Sequence, residues 1–370
     1  MVVGIDAREI CQRPAGKGHY LARLIANWQQ QSAFPIVFYI QEDQELPANF
    51  FKAKVWSSTW KVVKQKGRGP LWHRAVGRRL KADGVTVFFA ALTYQSAIWN
   101  KVPTVTIVHD LAIFKLPHIS HNKKAQLVER LTLAATVERS KKIIVVSENT
   151  KKDLLEATRI NPLKVEVVFA ASLLTEKYHP KEEEPLLLEQ RGKYLLFVGT
   201  LEPRKNITTL LKAYSLLPKA TQEEFHLKLV GKPGWGGEDY PALAKELGIE
   251  QTVEFLGYVD DSDMYDLYRK ATALVYPSWY EGFGMPLIEA MSVGTPVVSS
   301  NRSSLPEVLG NTGILCSPDD PQEFAEATQT LLSDPKLYNR YSQEAYKRSK
   351  LFSWADSSQK IQNILEKASL

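Results

Sequence analysis

Glu281-Gly282-Phe283-Gly284-Met285-Pro286-Leu287-Ile288-Glu289 is the stretch on which the reading of this chain turns, and it continues through Ala290-Met291-Ser292-Val293-Gly294-Thr295-Pro296-Val297-Val298. Ahead of it, Ala273-Leu274-Val275-Tyr276-Pro277 is a short apolar run that ends at a proline, the pattern of a buried strand stopping at a turn. Pro286 suits the first turn of a helix, where its missing N–H would have had no acceptor anyway. The order is therefore strand, glycine loop, helix, and 296–299 supplies the next strand. Backbone N–H groups at such a helix start face a position suited to an anion. Glu281 falls on the loop and Glu289 within the helix. A phosphate near the amides and hydroxyls near the carboxylates would describe a sugar nucleotide. On spacing alone the signal is weak: a Gly-x-Gly turn before a helix is common, and one solvated plus one structural glutamate is the ordinary outcome.

The same alternation runs through the whole chain. Short apolar segments at 2–5, 36–40, 86–89, 104–108, 143–146 and 165–169 read as one series of strands. A second series follows at 195–199, 226–230, 253–256, 273–276, 296–299 and 313–316. Strands separated by helical patterns predict parallel sheets with right-handed crossovers, an α/β fold. A chain of 370 residues exceeds the usual size of a single core, so two α/β domains are expected. Between the two series, 172–192 is polar and carries Pro180, Lys181-Glu182-Glu183-Glu184 and Pro185. The expected division is a first domain over 1–175, a linker over 176–192 and a second domain over 193–353. The tail 354–370 reads as an amphipathic helix with Ile361, Ile364 and Leu365 on one face.

Composition excludes several classes. Hydrophobic content of 44% and charged content of 24% are those of a globular chain with enough apolar material for two cores. Cys11 and Cys316 are the two cysteines; they have no metal-ligand spacing and fit buried free thiols in a reducing compartment. No run approaches the ~20 apolar residues of a membrane span, and 2–5 is too short for the apolar core of a signal peptide. A cytoplasmic protein, free or bound peripherally at the inner face of the membrane, is expected.

The net charge of +6 is unevenly placed. The span 46–82 has no Asp or Glu but ten cations: Lys52, Lys54, Lys61, Lys64, Lys66, Arg68, Arg74, Arg78, Arg79 and Lys81. Trp56, Trp60 and Trp72 are interleaved. Cations with indoles suit an anionic membrane surface; a solvated basic face is the alternative. No nucleic-acid motif accompanies the patch, so nucleic acid is not expected as a partner.

Several segments together resemble a known family. Glu281 to Val298 looks like the E-x7-E signature of retaining glycosyltransferases of the GT-B fold, family 4. Val198-Gly199-Thr200-Leu201-Glu202-Pro203-Arg204-Lys205-Asn206 resembles that family's phosphate-binding segment. Gly4-Ile5-Asp6-Ala7-Arg8 with Gly16-Lys17-Gly18-His19-Tyr20 resembles its opening. His109-Asp110 and Val145-Val146-Ser147-Glu148-Asn149-Thr150 match in the expected order. One departure stands out: Ala170-Ala171-Ser172 replaces the Asn-Gly pair that many relatives carry at that point.

The resemblance implies two Rossmann-like domains facing across a cleft, the first on the acceptor side and completed by helix 354–370, the second holding the donor. It implies that Glu289 accepts hydrogen bonds from the donor ribose and Glu281 from the transferred sugar. Arg204 and Lys205 would neutralise the leaving diphosphate, as paired cations can. The segment Gly282, Phe283, Gly284, Met285 and Leu287 would offer amides to sugar and phosphate, with Gly199 and Thr200 nearby. Gly231, Lys232, Tyr258 and Val259 would border the base. His109 would bond the sugar at the reaction centre, and Gly16 and Gly18 would let a loop approach the diphosphate. The nucleotide sugar is a co-substrate, so no resident cofactor and no metal is expected.

The opening segment and the Arg-Lys segment resemble a mannosyltransferase branch acting in bacterial surface polysaccharide. GDP-mannose is thus favoured, with UDP-glucose, UDP-N-acetylglucosamine and dTDP-rhamnose open, and a glycan or lipid-linked oligosaccharide as acceptor. A nucleotide-sugar 2-epimerase and a non-catalytic assembly scaffold are the readings from other classes. A dinucleotide oxidoreductase would need G-x-G-x-x-G after the first strand, which Gly16-Lys17-Gly18 does not supply.

Overall fold

The computed structural model describes residues 1–11, 16–31, 34–47, 59–92, 95–116, 123–174, 184–236 and 238–370. Lys52, Lys54 and Trp56 of the basic span and 176–183 of the expected linker lie outside these residues. The chain forms two compact units: Met1–Ala170 with Ser353–Leu370, and Ala171–Phe352.

The first unit is built on a seven-stranded sheet in the order β3-β2-β1-β4-β5-β6-β7. Its strands are β1 (Val3–Asp6), β2 (Ile36–Gln41), β3 (Lys61–Gln65), β4 (Val87–Ala90), β5 (Thr104–Val108), β6 (Lys142–Val145) and β7 (Val165–Val167). All pair in parallel. Parallel strands covered on both faces need apolar side chains on both, and β1, β4 and β5 are buried throughout. The expected strands form, with bounds moved by a residue or two. β3 is an addition. Lys61-Val62-Val63-Lys64-Gln65 lies at the sheet edge, in register with Val37 to Gln41, and is mostly exposed. An edge strand tolerates lysines, which guard it against pairing with another chain, so its polar sequence hid it within the basic span.

Helices α1 (Gly16–Gln31), α2 (Gly69–Arg79), α3 (Gln95–Trp99), α4 (Lys123–Arg139) and α5 (Glu148–Ala157) link these strands. The step from β1 to β2 runs one way across the sheet, and the steps from β3 to β7 run the other way. Right-handed crossovers therefore put α1 on one face and α2 to α5 on the opposite one. The closing helix Trp354–Ser369 packs against α1 and against β4 and β5. Its Ile361 and Leu365 are fully buried, and the buried Trp28 indole donates to the Ser358 carbonyl at 3.1 Å.

The second unit holds a six-stranded parallel sheet in the order β10-β9-β8-β11-β12-β13. These are β8 (Tyr194–Val198), β9 (His226–Val230), β10 (Val253–Gly257), β11 (Ala273–Tyr276), β12 (Val297–Ser300) and β13 (Ile314–Cys316). Helices α6 (Ile207–Ser215), α7 (Asp261–Lys270), α8 (Met285–Ser292) and α9 (Pro335–Ser349) are the ones that matter below. In open parallel sheets ligands bind beyond the carboxyl ends of the strands, where the strand order reverses. Here that point lies between β1 and β4 in the first unit and between β8 and β11 in the second. Cys11 and Cys316 are free thiols. Among the described residues no helix is long and apolar enough to cross a membrane.

Candidate active site

Beyond β8 the chain passes Gly199 and Thr200, makes a short 3-10 turn at Pro203–Lys205, and enters α6 through Asn206. Asn206 sits in the left-handed region at φ 58°. Its buried amide donates to the carbonyls of Pro277 at 3.1 Å and Pro318 at 2.7 Å, which locks this loop to the one that follows β11. The Arg204 carbonyl receives the Trp279 amide at 3.1 Å and the Ser278 hydroxyl at 3.1 Å. Two strand-end loops are thus laced together by their own backbone groups, and this brings Arg204 and Lys205 to Glu281.

Glu281 is nearly fully buried and richly partnered. Its Oε1 accepts from Lys205 Nζ at 2.6 Å, from the Ser278 hydroxyl at 2.8 Å and from the Tyr276 hydroxyl at 2.9 Å. Its Oε2 accepts from Arg204 Nη1 at 2.9 Å. Burial alone would raise this carboxyl, but the charges of Arg204 and Lys205 override it and hold the group down at about 2. Arg204 also forks onto Glu202 Oε1 at 3.0 and 2.7 Å and donates to the Tyr280 carbonyl at 2.8 Å. The cluster therefore holds two cations and two carboxylates. The Glu281 amide donates to Ser303 Oγ at 3.0 Å, and Ser303 and Ser304 hydroxyls donate back to the Glu281 carbonyl. The turn has its shape fixed before any ligand arrives.

Gly284 caps α8 at φ 112°, and a Cβ there would meet Leu305 Cδ2 at 2.9 Å, so only glycine fits. Met285 supplies the first helical amide, a group with no intrahelical acceptor. The Leu287 amide instead bonds the Gly284 carbonyl at 3.0 Å, and its side chain is buried. Leu287 is therefore part of the helix and the core, a correction to its expected place as a ligand-facing amide. Phe283 is a core side chain too, edge-on to Phe352 at 5.7 Å. Glu289, about one turn along, accepts from the Tyr268 hydroxyl at 2.7 Å. Among the described residues no cation pairs with it. Burial pushes its carboxyl up to about 7; the Tyr268 bond opposes this and the Asp261 charge adds to it. One signature thus carries two glutamates in opposite electrostatic states.

The two further segments join the same rim. The Gly199 amide donates to the Val230 carbonyl at 2.9 Å, Leu201 to Lys232 at 2.9 Å, and Gly231 to Gly257 at 2.8 Å. The backbones come so close that a Cβ on Gly231 would sit 1.9 Å from the Gly199 oxygen. The Lys232 ammonium lies 4.8 Å from the centre of the half-exposed Tyr258 ring, a cation–π pair beside Val259. Asp261, which begins α7 just past this segment, is the charge felt by Glu289.

In the first unit His109 follows β5, and its Nε2 lies 2.8 Å from the Ala91 carbonyl beyond β4. A carbonyl only accepts, so Nε2 carries the proton and Nδ1 is left as an acceptor. Burial, then the Lys17 charge, lowers this imidazole to about 4. Its ring stands edge-on to Tyr20 at 5.2 Å, and Tyr20 edge-on to Trp354. Gly16 and Gly18 lie in the first turn of α1 rather than on a loop, and Gly18 is buried, which corrects their expected setting.

The reading of the basic span changes as well. Trp60 and Trp72 are core residues: Trp60 donates to the Phe34 carbonyl at 3.1 Å, and Trp72 lies under the Arg8 guanidinium at 3.9 Å. They offer no indole to an interface. Lys64, Lys66 and Arg68 pair with Glu45, Glu42 and Asp43, acids placed just before the span. The acidic pair Asp261 and Asp263 lies in the first turn of α7, where such side chains complement a helix start. Sequence reading passed over Glu202, Tyr276, Ser278 and Tyr268, which complete the two glutamate settings. Tyr276 and Ser278 could have been found from their place at the end of an apolar strand next to Glu281.

Comparison with known proteins agrees with this architecture. The profile of glycosyl transferases group 1 matches residues 179–348, and that of glycosyltransferase family 4 matches residues 14–169. An O-antigen chain mannosyltransferase B of Escherichia coli is 36% identical over 259 residues, 68% of this chain and 66% of that protein. A serotype-specific mannosyltransferase WbdA of Escherichia coli is 30% identical over 267 residues, 69% of this chain but 32% of that much longer protein. The match thus spans just under two thirds of the first relative's length and about a third of the second's. Among solved structures, a sucrose-phosphate synthase from Thermosynechococcus elongatus superimposes with a TM-score of 0.79 at 19% identity, covering 99% of this chain and 98% of that one. The fold is GT-B: two Rossmann-like parallel-sheet domains.

Proposed function

This chain belongs to the glycosyl transferases of group 1, glycosyltransferase family 4, and from that premise we propose that it moves a mannosyl residue from GDP-mannose to a glycan or lipid-linked oligosaccharide of a bacterial surface polysaccharide, with retention of anomeric configuration and without a metal. The named relatives are an O-antigen mannosyltransferase and a serotype-specific mannosyltransferase, which supports both the sugar and the pathway class. The observation that carries the site is the pairing of Glu281 with Arg204 and Lys205 at one end of α8, with Glu289 near its middle.

On this reading Arg204 and Lys205 meet the donor diphosphate. Charge on the diphosphate grows as the glycosidic bond breaks, so fixed cations favour the transition state over the ground state. Glu281 keeps both cations oriented and accepts from hydroxyls of the transferred sugar. The Met285 amide adds a donor at the helix start. Glu289, as carboxylate, accepts from the ribose hydroxyls, with Lys232 and Tyr258 bordering the base. His109 presents Nδ1 to a sugar hydroxyl. The acceptor oxygen attacks on the face from which the diphosphate leaves, and the departing phosphate takes its proton. Glu281 has cations and hydroxyls around both oxygens and is not assigned as a nucleophile; a glycosyl adduct trapped on it would overturn this course.

The test is a donor panel by thermal shift without added metal, using GDP-mannose, UDP-glucose, UDP-N-acetylglucosamine and dTDP-rhamnose on wild type and Glu289→Ala. A ligand at a hundred times its dissociation constant adds about 2.7 kcal/mol of stability. GDP-mannose should stabilise wild type and not the variant. Stabilisation by a uridine or thymidine donor instead would replace the donor assignment, and silence across the panel would reject the site.

A further inference from the structure

Exposed apolar side chains in the first unit are not spread evenly. Leu71 (72% exposed), Trp99, Leu127, Val128 and Leu131 (63%) all sit on α2, α3 and α4. Among the described residues the other large ones are Val62 on the edge strand, Leu163 and the terminal Leu370, and none belongs to α1 or to the closing helix. Topology puts α2, α3 and α4 on one face of the sheet, and they are packed in sequence, α2 on α3 and α3 on α4. The five residues therefore share one helical layer.

The charge of that layer is as one-sided as its apolar content. Arg74 and Arg78, one turn apart on α2, are exposed, as are Lys81 just past it and Lys101 just past α3. None of the four has an acidic partner among the described residues. On α2, α3 and α4 the carboxylates are the exposed Glu138 and the half-buried Glu129, and on the same helix Arg130 and Arg139 are exposed. This differs from the strand side of the basic span, where acids of 42–45 already neutralise Lys64, Lys66 and Arg68. Apolar side chains raised among unpaired cations on a layer of helices match a surface that is apolar beneath and anionic on top.

We propose that the layer formed by α2, α3 and α4 docks the protein on an anionic lipid surface, with Leu71, Leu127, Val128 and Leu131 entering the head-group boundary and Arg74, Arg78 and Lys81 meeting lipid phosphates. The proposal stands on exposure and charge and does not depend on the transferase reading. It also relocates the contact from the whole of 46–82 to its helical part and to α4, which carries the apolar share.

The test is co-sedimentation of the full chain with vesicles of equimolar phosphatidylglycerol and phosphatidylcholine, and with pure phosphatidylcholine. Wild type should bind the first and leave the second in solution. Arg74→Gln with Arg78→Gln removes two surface cations and should weaken binding about 30-fold. Leu127→Gln with Leu131→Gln should weaken it at least tenfold. These positions are exposed, so circular dichroism and the thermal midpoint should not change, and donor-induced stabilisation should persist in both. No binding to the anionic vesicles, or equal binding by all three proteins, would overturn the proposal. So would a change of oligomeric state in the leucine variant on light scattering, which would assign the face to a second copy of this chain.

Discussion

The ammonium of Lys205 lies 2.6 Å from Glu281 Oε1, and the two side chains are each 9% exposed. Breaking a buried pair by removing one partner costs about 3–5 kcal/mol, because the survivor keeps its desolvation penalty. Lys205→Met leaves Glu281 with the Arg204 cation and the Ser278 and Tyr276 hydroxyls, so the lower part of that range is expected. At about 2–4 °C per kcal/mol the midpoint should fall by roughly 6–12 °C. A scanning calorimetry trace that does not move would show the pair to be energetically neutral.

The same pair has a pH signature. Glu281 is held at about 2 in the fold, below its ordinary value of 4.5. Its contribution is therefore fully present above pH 4.5 and fades as pH falls toward 2. Glu281→Gln should remove that part of the acid sensitivity while lowering stability at neutral pH. Denaturant melts at pH 3 and pH 7 give the comparison; equal acid sensitivity in both proteins would contradict it.

Glu289 runs in the opposite direction. Its folded value of about 7 lies above 4.5, so the group costs stability as pH rises from 4.5 through 7. Accepting from both ribose hydroxyls at once needs the carboxylate, because protonation turns one of the two oxygens into a donor. Donor affinity should then climb across pH 6–8, with Tyr268→Phe, which removes the bond to the charged form, moving the rise to higher pH. Calorimetric titration of donor at several pH values reads this directly, and a flat profile would disconnect Glu289 from binding.

His109 should contribute no titration near neutrality, since burial and Lys17 hold it at about 4. Its imidazole carbon-bound protons should keep one chemical shift from pH 5.5 to 8. A midpoint near 6.5 would mean that the ring is open to water and not buried near Lys17.

Gly231→Ala is expected to be far worse than Gly248→Ala. The first drives a Cβ to 1.9 Å from the Gly199 oxygen, whereas the second, at φ 65°, meets nothing within 4 Å. Gly248→Ala should cost about 1–2 kcal/mol from conformation alone. Gly231→Ala must separate two strand-end backbones and should lose donor stabilisation as well. Similar melting points for the two would argue against the close approach.

Much of this was legible because buried parallel strands are written as apolar runs. The Ala273 and His226 strands could be bounded to the residue. β3 was not, because an edge strand is exposed and lysine-bearing and so looks like a charged surface. The E-x7-E spacing located Glu281 and Glu289 but not their difference, which comes from partners distant in sequence: Arg204 is 77 residues from Glu281, and Tyr268 is 21 from Glu289. Arg191 was invisible for the same reason. Buried with no carboxylate partner among the described residues, it donates to the Leu186 and Gly294 carbonyls and to Thr295 Oγ1, pinning the end of α8 through contacts no local pattern announces.

The helix Trp354–Ser369 has a consequence in time. Trp28 finds its acceptor at Ser358, and the Phe169 carbonyl its donor there too, at Ser357. During synthesis the amino-terminal sheet therefore waits, with β4 and β5 lacking their cover beside α1, while the whole second unit is made and can fold. The part of the protein born first is finished last, and a ribosome stalled before codon 354 would release a chain whose second unit is whole and whose first is a target for chaperones and proteases.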